Sequence, residues 1–341
     1  MEWIGLDIGG ANIKLADSQG RAVSRPFALW NNPAGLTAEL ADLLSSLEPG
    51  RPLAVTMTGE LADCFVDKTE GVLHICESVA RAAPNRSLRF YSNAGRWLKV
   101  DELRRNQEDL VTTVAAANWH ALARYAARFG SGTFQLHIDI GSTTTDIIPI
   151  QDGFPPGTEL TDTERLTRGE LVYAGVRRTP ISSLVSELPW RGLQVPVARE
   201  YFASTLDAFL LLGDLPVNVE DRETADGQPA TIEHARARMA RMICACPADC
   251  STEDVLPMAR KVVSELRQLI VQALEKVLAT SGSNPGTILL SGEGSFLGRQ
   301  VAGQVGLTAN LLPLDDVLSP PEAVAAPAVA VAVLAREEVT P

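Results

Sequence analysis

Two short stretches of this chain match one another, and they restrict its fold more than any other feature. Ile4-Gly5-Leu6-Asp7-Ile8-Gly9-Gly10 lies near the start and Leu136-His137-Ile138-Asp139-Ile140-Gly141-Ser142 near the middle. Each reads as an apolar strand bearing one Asp, then a turn of small residues and a second strand, Ile13-Lys14-Leu15-Ala16 or Thr145-Asp146-Ile147-Ile148. A buried strand disfavours an ionised carboxylate unless it is paired or bound to a metal. A turn of small residues exposes backbone N–H groups in a concavity that suits phosphate. Two such hairpins predict two lobes facing a shared phosphate and metal site.

With 341 residues, the chain is long enough for two domains with their own cores, at about 150 residues each. The break at Gly130-Ser131-Gly132-Thr133 divides it into an N-terminal phosphate-binding lobe, 1–131, and a C-terminal lobe, 132–341, with a helical insert and a closing helix. The formal net charge of -12 argues against a general nucleic-acid or membrane-surface binder. Asp7 interrupts the N-terminal apolar stretch with no basic leader before it. No apolar run reaches the about 18 residues that a membrane span needs. These features predict a cytoplasmic protein that handles small molecules, with no nucleic-acid or membrane partner; a homodimer is left open. Cys244, Cys246 and Cys250 form a C-x-C-x3-C cluster. It lacks the paired C-x2-C units of common zinc sites, so ordinary helix-end cysteines are the expectation.

Along the first half, strands are expected around 22–29, at 53–57, at 71–75 and at 88–91, with helices over 36–47 and 109–128. The strand at 53–57 runs into a polar tip, Thr58-Gly59-Glu60. The second half has a turn-rich loop at 152–157 and a helix-rich insert over 199–246, broken by a polar loop at 221–229. A long helix at 252–280, capped by Ser251 or Thr252, precedes a strand at 287–291 that enters Gly292-Glu293-Gly294. A terminal helix closes the chain over 320–338. Alternating strands and helices give an α/β class.

The order D-x-G-G, D-x-G-S-T and a late S-G-E-G resembles the actin-like ATPase superfamily. The resemblance implies a two-lobed, ribonuclease H-like fold with a cleft between the lobes. Its first two turns hold phosphates and its late Gly-rich turn faces a nucleoside. A narrower resemblance rests on Met57-Thr58-Gly59-Glu60-Leu61-Ala62-Asp63-Cys64-Phe65, Ala115-Ala116-Ala117-Asn118-Trp119, the segment 137–146, Gly169-Glu170-Leu171-Val172-Tyr173-Ala174-Gly175 with 176–180, and Thr224-Ala225-Asp226-Gly227-Gln228-Pro229-Ala230. Together these segments resemble the small hydantoinase/oxoprolinase-like proteins of tetrahydromethanopterin-linked one-carbon metabolism. Archaeal members join an aminomethylfuran diphosphate to the phenol oxygen of γ-glutamyltyramine during methanofuran synthesis, releasing diphosphate. Bacterial relatives serve a related cofactor, methylofuran. The resemblance thus implies a Mg²⁺-dependent, aryl-ether-forming transferase whose substrates are a furan diphosphate and a phenolic amine or amino acid.

In that chemistry, catalysis rests on neutralising the departing diphosphate. The turns would offer N–H donors at Gly9, Gly10, Ser142 and Thr143 and hydroxyls at Thr143, Thr144 and Thr145, with Asn12, Gly141, Gly292, Glu293 and Gly294 completing the phosphate-binding set. Asp7 and Asp139 would hold Mg²⁺, largely through water. Lys14, Arg177 and Arg178 would add positive charge. If 176–180 is a strand, the two arginines face opposite ways and at most one reaches the pocket. Lys14 reads equally as a solvated strand residue, and Asp146 as a ligand or as a partner for nearby backbone. Glu60 or Glu293 would accept the phenol proton, while His120, inside a helix, reads as structural. Arg96 and Trp97 read as a surface turn with one anchored aromatic. Two other classes stand beside the transferase: an ATP-dependent small-molecule kinase or hydantoinase/oxoprolinase-type hydrolase, and a nucleotide-responsive scaffold without catalysis.

Overall fold

The computed structural model describes residues 2–17, 19–105, 113–156 and 160–339. The first sheet contains β1 (Ile4–Ile8), β2 (Asn12–Asp17), β3 (Ala22–Pro26), β4 (Leu53–Met57), β5 (Leu88–Tyr91) and β6 (Trp97–Leu98), in the order β3-β2-β1-β4-β5-β6. The second contains β7 (Phe134–Ile140), β8 (Thr145–Gln151), β9 (Leu171–Val172), β12 (Thr287–Ser291) and β13 (Asn310–Pro313), in the order β13-β12-β7-β8-β9. A separate hairpin pairs β10 (Glu187–Trp190) with β11 (Leu193–Pro196).

The two sheets repeat one plan. An antiparallel hairpin, β1–β2 or β7–β8, is flanked on its first strand by a parallel strand, β4 or β12. A second parallel strand, β5 or β13, follows outward. β1, β4 and β12 are buried along their whole length, as strands covered on both faces must be. The two-lobed α/β fold expected from the matched hairpins is the fold observed.

Helices cover these sheets. Leu36–Ser45 and Lys68–Ala82 pack together on the first lobe. Thr252–Ser281 packs against Thr205–Leu212 and β8 in the second. The long helix begins at Ser251, whose hydroxyl accepts from Asp254 N while the Asp254 carboxylate accepts from Ser251 N. The insert supplies Thr205–Leu212 and Ile232–Arg241, on either side of the polar loop.

Three local expectations are corrected. Residues 71–75 are not a strand but part of the helix Lys68–Ala82, whose buried Val72, Ile75, Cys76 and Val79 recur at helical spacing and whose first turn is capped by the Asp67 carboxylate. The helix expected over 109–128 is Asn118–Ala126. Ala116, at φ 47°, ends any continuous run before it, and 109–112 lie outside the described residues, as does Gly157 of the turn-rich loop. The terminal helix is two pieces, Pro320–Val324 and Ala326–Val339. The second piece, assigned from sequence to the second lobe, packs on β1, β2, β4 and the helix Asn118–Ala126. Gly5 permits this approach: a Cβ there would stand 1.8 Å from Ala328 O.

Candidate active site

Register brings the acidic residues together. Asp7 on β1 lies opposite Lys14 on β2 and Thr56 on β4. Asp139 on β7 lies opposite Asp146 on β8 and Ser291 on β12. Lys14 Nζ is 3.7 Å from Asp7 Oδ2, so Lys14 is a counter-ion rather than a solvated strand residue. Asp7 Oδ1 and Thr56 Oγ1 are buried with no hydrogen-bond partner. Burial pushes the Asp7 pKa up; Lys14 opposes the rise, and the charge of Asp139 adds to it. Burial raises the Asp139 pKa as well, against a hydrogen bond from Ser291 and the charge of Lys14. The two matched carboxylates therefore share one electrostatic site, and Lys14 acts on both.

The turn tips differ in what they can donate. Gly9 N–H is spent on Asn12 O at 2.9 Å and Gly141 N–H on Thr144 O at 2.9 Å, within their own turns. Gly10, Ser142 and Thr143 keep N–H groups without a partner among the described residues. Ser142, Thr143 and Thr144 are half-buried at the tip, and Ser142 Oγ lies 3.4 Å from Thr143 Oγ1. Thr145 leaves the candidate set: it is buried, and its hydroxyl donates to Ala174 O at 2.9 Å. Asn12 opens β2, half-buried. The late turn leans directly on the second one, with Gly294 N donating to Ile140 O at 2.8 Å. Gly292 has φ +83°, and a Cβ there would stand 2.7 Å from Asp139 Oδ1. Only glycine fits that approach.

Glu60 follows the tip of β4, where Thr58 and Gly59 donate their N–H groups to Ile8 O. Its side chain is buried with Oε2 unpartnered. Burial pushes its pKa up to about 7, against backbone hydrogen bonds from Glu60 and Ala116 and the charge of Lys68. Lys68, on the first lobe, also forms an ion pair with Asp162 of the second, at 3.3 Å. Glu293 differs. It is partly exposed and paired with Arg177 at 2.9 Å, so of the two candidate bases Glu60 is the one with a free, buried oxygen.

The segment 176–180 is a turn rather than a strand, and both Arg177 N and Arg178 N donate to Ser142 O at 3.0 Å. Arg177 bridges Glu293 to Asp221, and Arg178 pairs with Glu223 at 2.8 Å. Both arginines thus tie the polar loop to the second Asp-bearing turn. Asp146 is taken by Arg165, whose guanidinium lies 4.1 Å from the Trp119 ring. Burial raises the Asp146 pKa, and Arg165 opposes that rise. His120 is bonded to the Tyr91 hydroxyl at 2.9 Å, and burial depresses its pKa to about 3, in keeping with a structural role. Trp97 packs edge-on against Tyr91.

Sequence reasoning missed Arg165, Lys68, Thr56, Ser291 and the role of His137. Only His137 carried a local signal: two residues before Asp139 on a strand, it shares that residue's face. Cys244 and Cys246 are exposed and Cys250 is buried, all as free thiols. Among the described residues no group of three His, Cys, Asp or Glu side chains is arranged as a metal cage, and no helix is long and apolar enough to cross a membrane.

A repeated sheet plan, with its Asp-bearing turns meeting in one site, defines an actin-like ATPase fold. The hydantoinase/oxoprolinase family matches residues 51–338, and the chain belongs to that family. It is 31% identical over 339 residues to the (4-{4-[2-(gamma-L-glutamylamino)ethyl]phenoxymethyl}furan-2-yl)methanamine synthase of Methanocaldococcus jannaschii, covering 98% of each chain. It is 30% identical over 203 residues to the synthase of the same name from Methanococcus vannielii, covering 59% of this chain and 90% of that one. The nucleotide-free structure of acetone carboxylase shares the fold at a TM-score of 0.53 and 11% identity, over 89% of this chain and 67% of the other.

Proposed function

We propose that this protein is a transferase of methanofuran- or methylofuran-type cofactor synthesis. It joins an aminomethylfuran diphosphate to the phenol oxygen of a tyramine- or tyrosine-derived acceptor and releases diphosphate. The observation that carries the reading is end-to-end similarity to a synthase whose name describes a phenoxymethylfuran, 31% identity over 98% of both chains. The cleft chemistry supports it.

In the step proposed, the bond between the furan-methyl carbon and the diphosphate oxygen breaks, and its electron pair leaves on the diphosphate. The phenol oxygen forms the new bond to that carbon. The phenol proton passes to the Glu60 carboxylate, whose unpartnered Oε2 and pKa of about 7 suit a base working near neutrality. The furan ring oxygen shares the developing positive charge on the carbon, so the protein's task is to stabilise the departing anion. Gly10, Ser142 and Thr143 N–H groups supply neutral donors, and Lys14 supplies a cation. Arg177, already paired with Glu293 and Asp221, holds the turn in shape rather than meeting the diphosphate.

Mg²⁺ fits the donors present. Asp7 has an orphaned buried oxygen, Asp139 sits within its electrostatic reach, and Mg²⁺ takes one or two carboxylates while keeping several waters. When bound, it would offset charge on the diphosphate. The full chain incubated with Mg²⁺, aminomethylfuran diphosphate and γ-glutamyltyramine or tyrosine should give a phenoxymethylfuran ether by mass spectrometry, with one diphosphate released per ether. No ether with either acceptor, alongside ATP turnover on a small molecule, would overturn the reading.

A further inference from the structure

Asp139 is held from behind by two residues from different strands. Ser291 Oγ donates to Asp139 Oδ1 at 2.6 Å, and His137 Nε2 lies 2.8 Å from the same hydroxyl. The hydroxyl proton is committed to Asp139, so Ser291 Oγ receives the bond from His137 Nε2–H. This fixes the imidazole tautomer and leaves Nδ1 bare, and Nδ1 is indeed buried with no partner. His137 and Ser291 are both buried. Strand geometry explains the chain: His137 and Asp139 share one face of β7, and Ser291 is the register partner of Asp139 on β12. On the other side, Gly292 allows the late turn to close on the same oxygen, with no room for a Cβ. Oδ1 thus accepts the Ser291 hydroxyl and lies against Gly292, while Oδ2 makes no hydrogen bond among the described residues and Asp139 is only half-buried. Neither His137 nor Ser291 makes a further side-chain hydrogen bond among the described residues; His137 otherwise feels only the charge of Asp146.

We propose that His137 and Ser291 are positioning residues that clamp Oδ1 of Asp139, so that Oδ2 alone is presented to the cation and departing diphosphate. The inference rests on the proposed role of Asp139 at the diphosphate site. Partners of this kind typically change metal affinity or activity about 10- to 100-fold when removed.

The test uses the full chain, titrated with Mn²⁺ in the presence of inorganic diphosphate, with free Mn²⁺ followed by electron paramagnetic resonance. Ser291→Ala and His137→Leu should each weaken Mn²⁺-diphosphate binding about 10- to 100-fold. Ser291→Thr, which keeps the hydroxyl, should stay near wild type. In turnover, kcat should fall while KM for the phenolic acceptor is unchanged. Binding within twofold of wild type in both variants, or an equal loss in Ser291→Thr, would overturn the proposal. His137→Leu and Ser291→Ala cut one relay at different bonds, so misfolding of either leaves the other to decide. Asp139→Asn, measured in parallel, separates the layers. If it alone loses binding, only the positioning role fails; if it too binds like wild type, the proposed role of Asp139 fails and the clamp with it.

Discussion

Asp139→Asn should make the protein more stable and less able to bind diphosphate. Asparagine keeps an oxygen that accepts the Ser291 hydroxyl, so the relay from His137 persists. What disappears is a buried negative charge that raises the pKa of both Asp7 and Asp146. In the folded wild type the Asp139 pKa is itself raised, chiefly by burial. The folded state therefore holds its proton more tightly than the unfolded chain, and stability falls as pH rises from the unfolded value of about 4 through the folded one. Above the folded pKa the penalty is complete; below about pH 4 it vanishes. Relief of such functional strain is worth about 0.5–2 kcal/mol, which at about 2.1 cal/mol/K per residue for 341 residues is a rise in Tm of about 1–3 °C. Thermal unfolding of wild type and variant from pH 4 to 8 checks this. The variant's advantage should be greatest at pH 8 and shrink toward pH 4, while Mg²⁺-diphosphate affinity falls at least about tenfold. A variant less stable than wild type at pH 8, or an advantage that grows on acidification, would refute the reasoning.

Glu60→Gln should lower kcat about 10²- to 10⁴-fold with little change in diphosphate binding. In the wild type, kcat/KM should fall below a midpoint of about pH 7 as Glu60 gains its proton, and a pH profile of an active variant at this position should lack that limb. Arg165→Met leaves Asp146 buried without its cation, so chemical denaturation should show a loss of about 3–5 kcal/mol, recovered in part by adding Asp146→Asn. Gly5→Val drives a side chain into the backbone of the closing helix at Ala328; a loss of about 3 kcal/mol is expected in the same assay.

What the sequence revealed was local. Each Asp-bearing hairpin shows its own period-2 pattern and its own turn, and together with the late Gly-Glu-Gly turn these suffice to lay out the lobes. What it concealed depends on residues far apart in the chain. Ser291 reaches Asp139 across 152 positions and Arg177 reaches Asp221 across 44, and no spacing rule connects such pairs. Residues 71–75 misled because a short apolar run fits either period, and the Asp67 cap decided for a helix. The break at Ala116 was hidden because it uses an alanine at positive φ where a glycine would have announced the turn. The closing helix seemed to belong only to the lobe it follows, but its alanines and valines share one core with Ala16 and Ala54 of the first sheet and Ile148, Ile150 and Leu289 of the second.

The central claim is displacement at the furan-methyl carbon, with diphosphate held between the two Asp-bearing turns as the leaving group. Carrying ¹⁸O in the phenol of the acceptor tests it most directly. The account predicts that mass spectrometry finds the label wholly in the ether and none in the released diphosphate. Label found bridging to phosphorus, with no ether formed, would mean that the phenol attacks a phosphoryl group, and the account would be wrong.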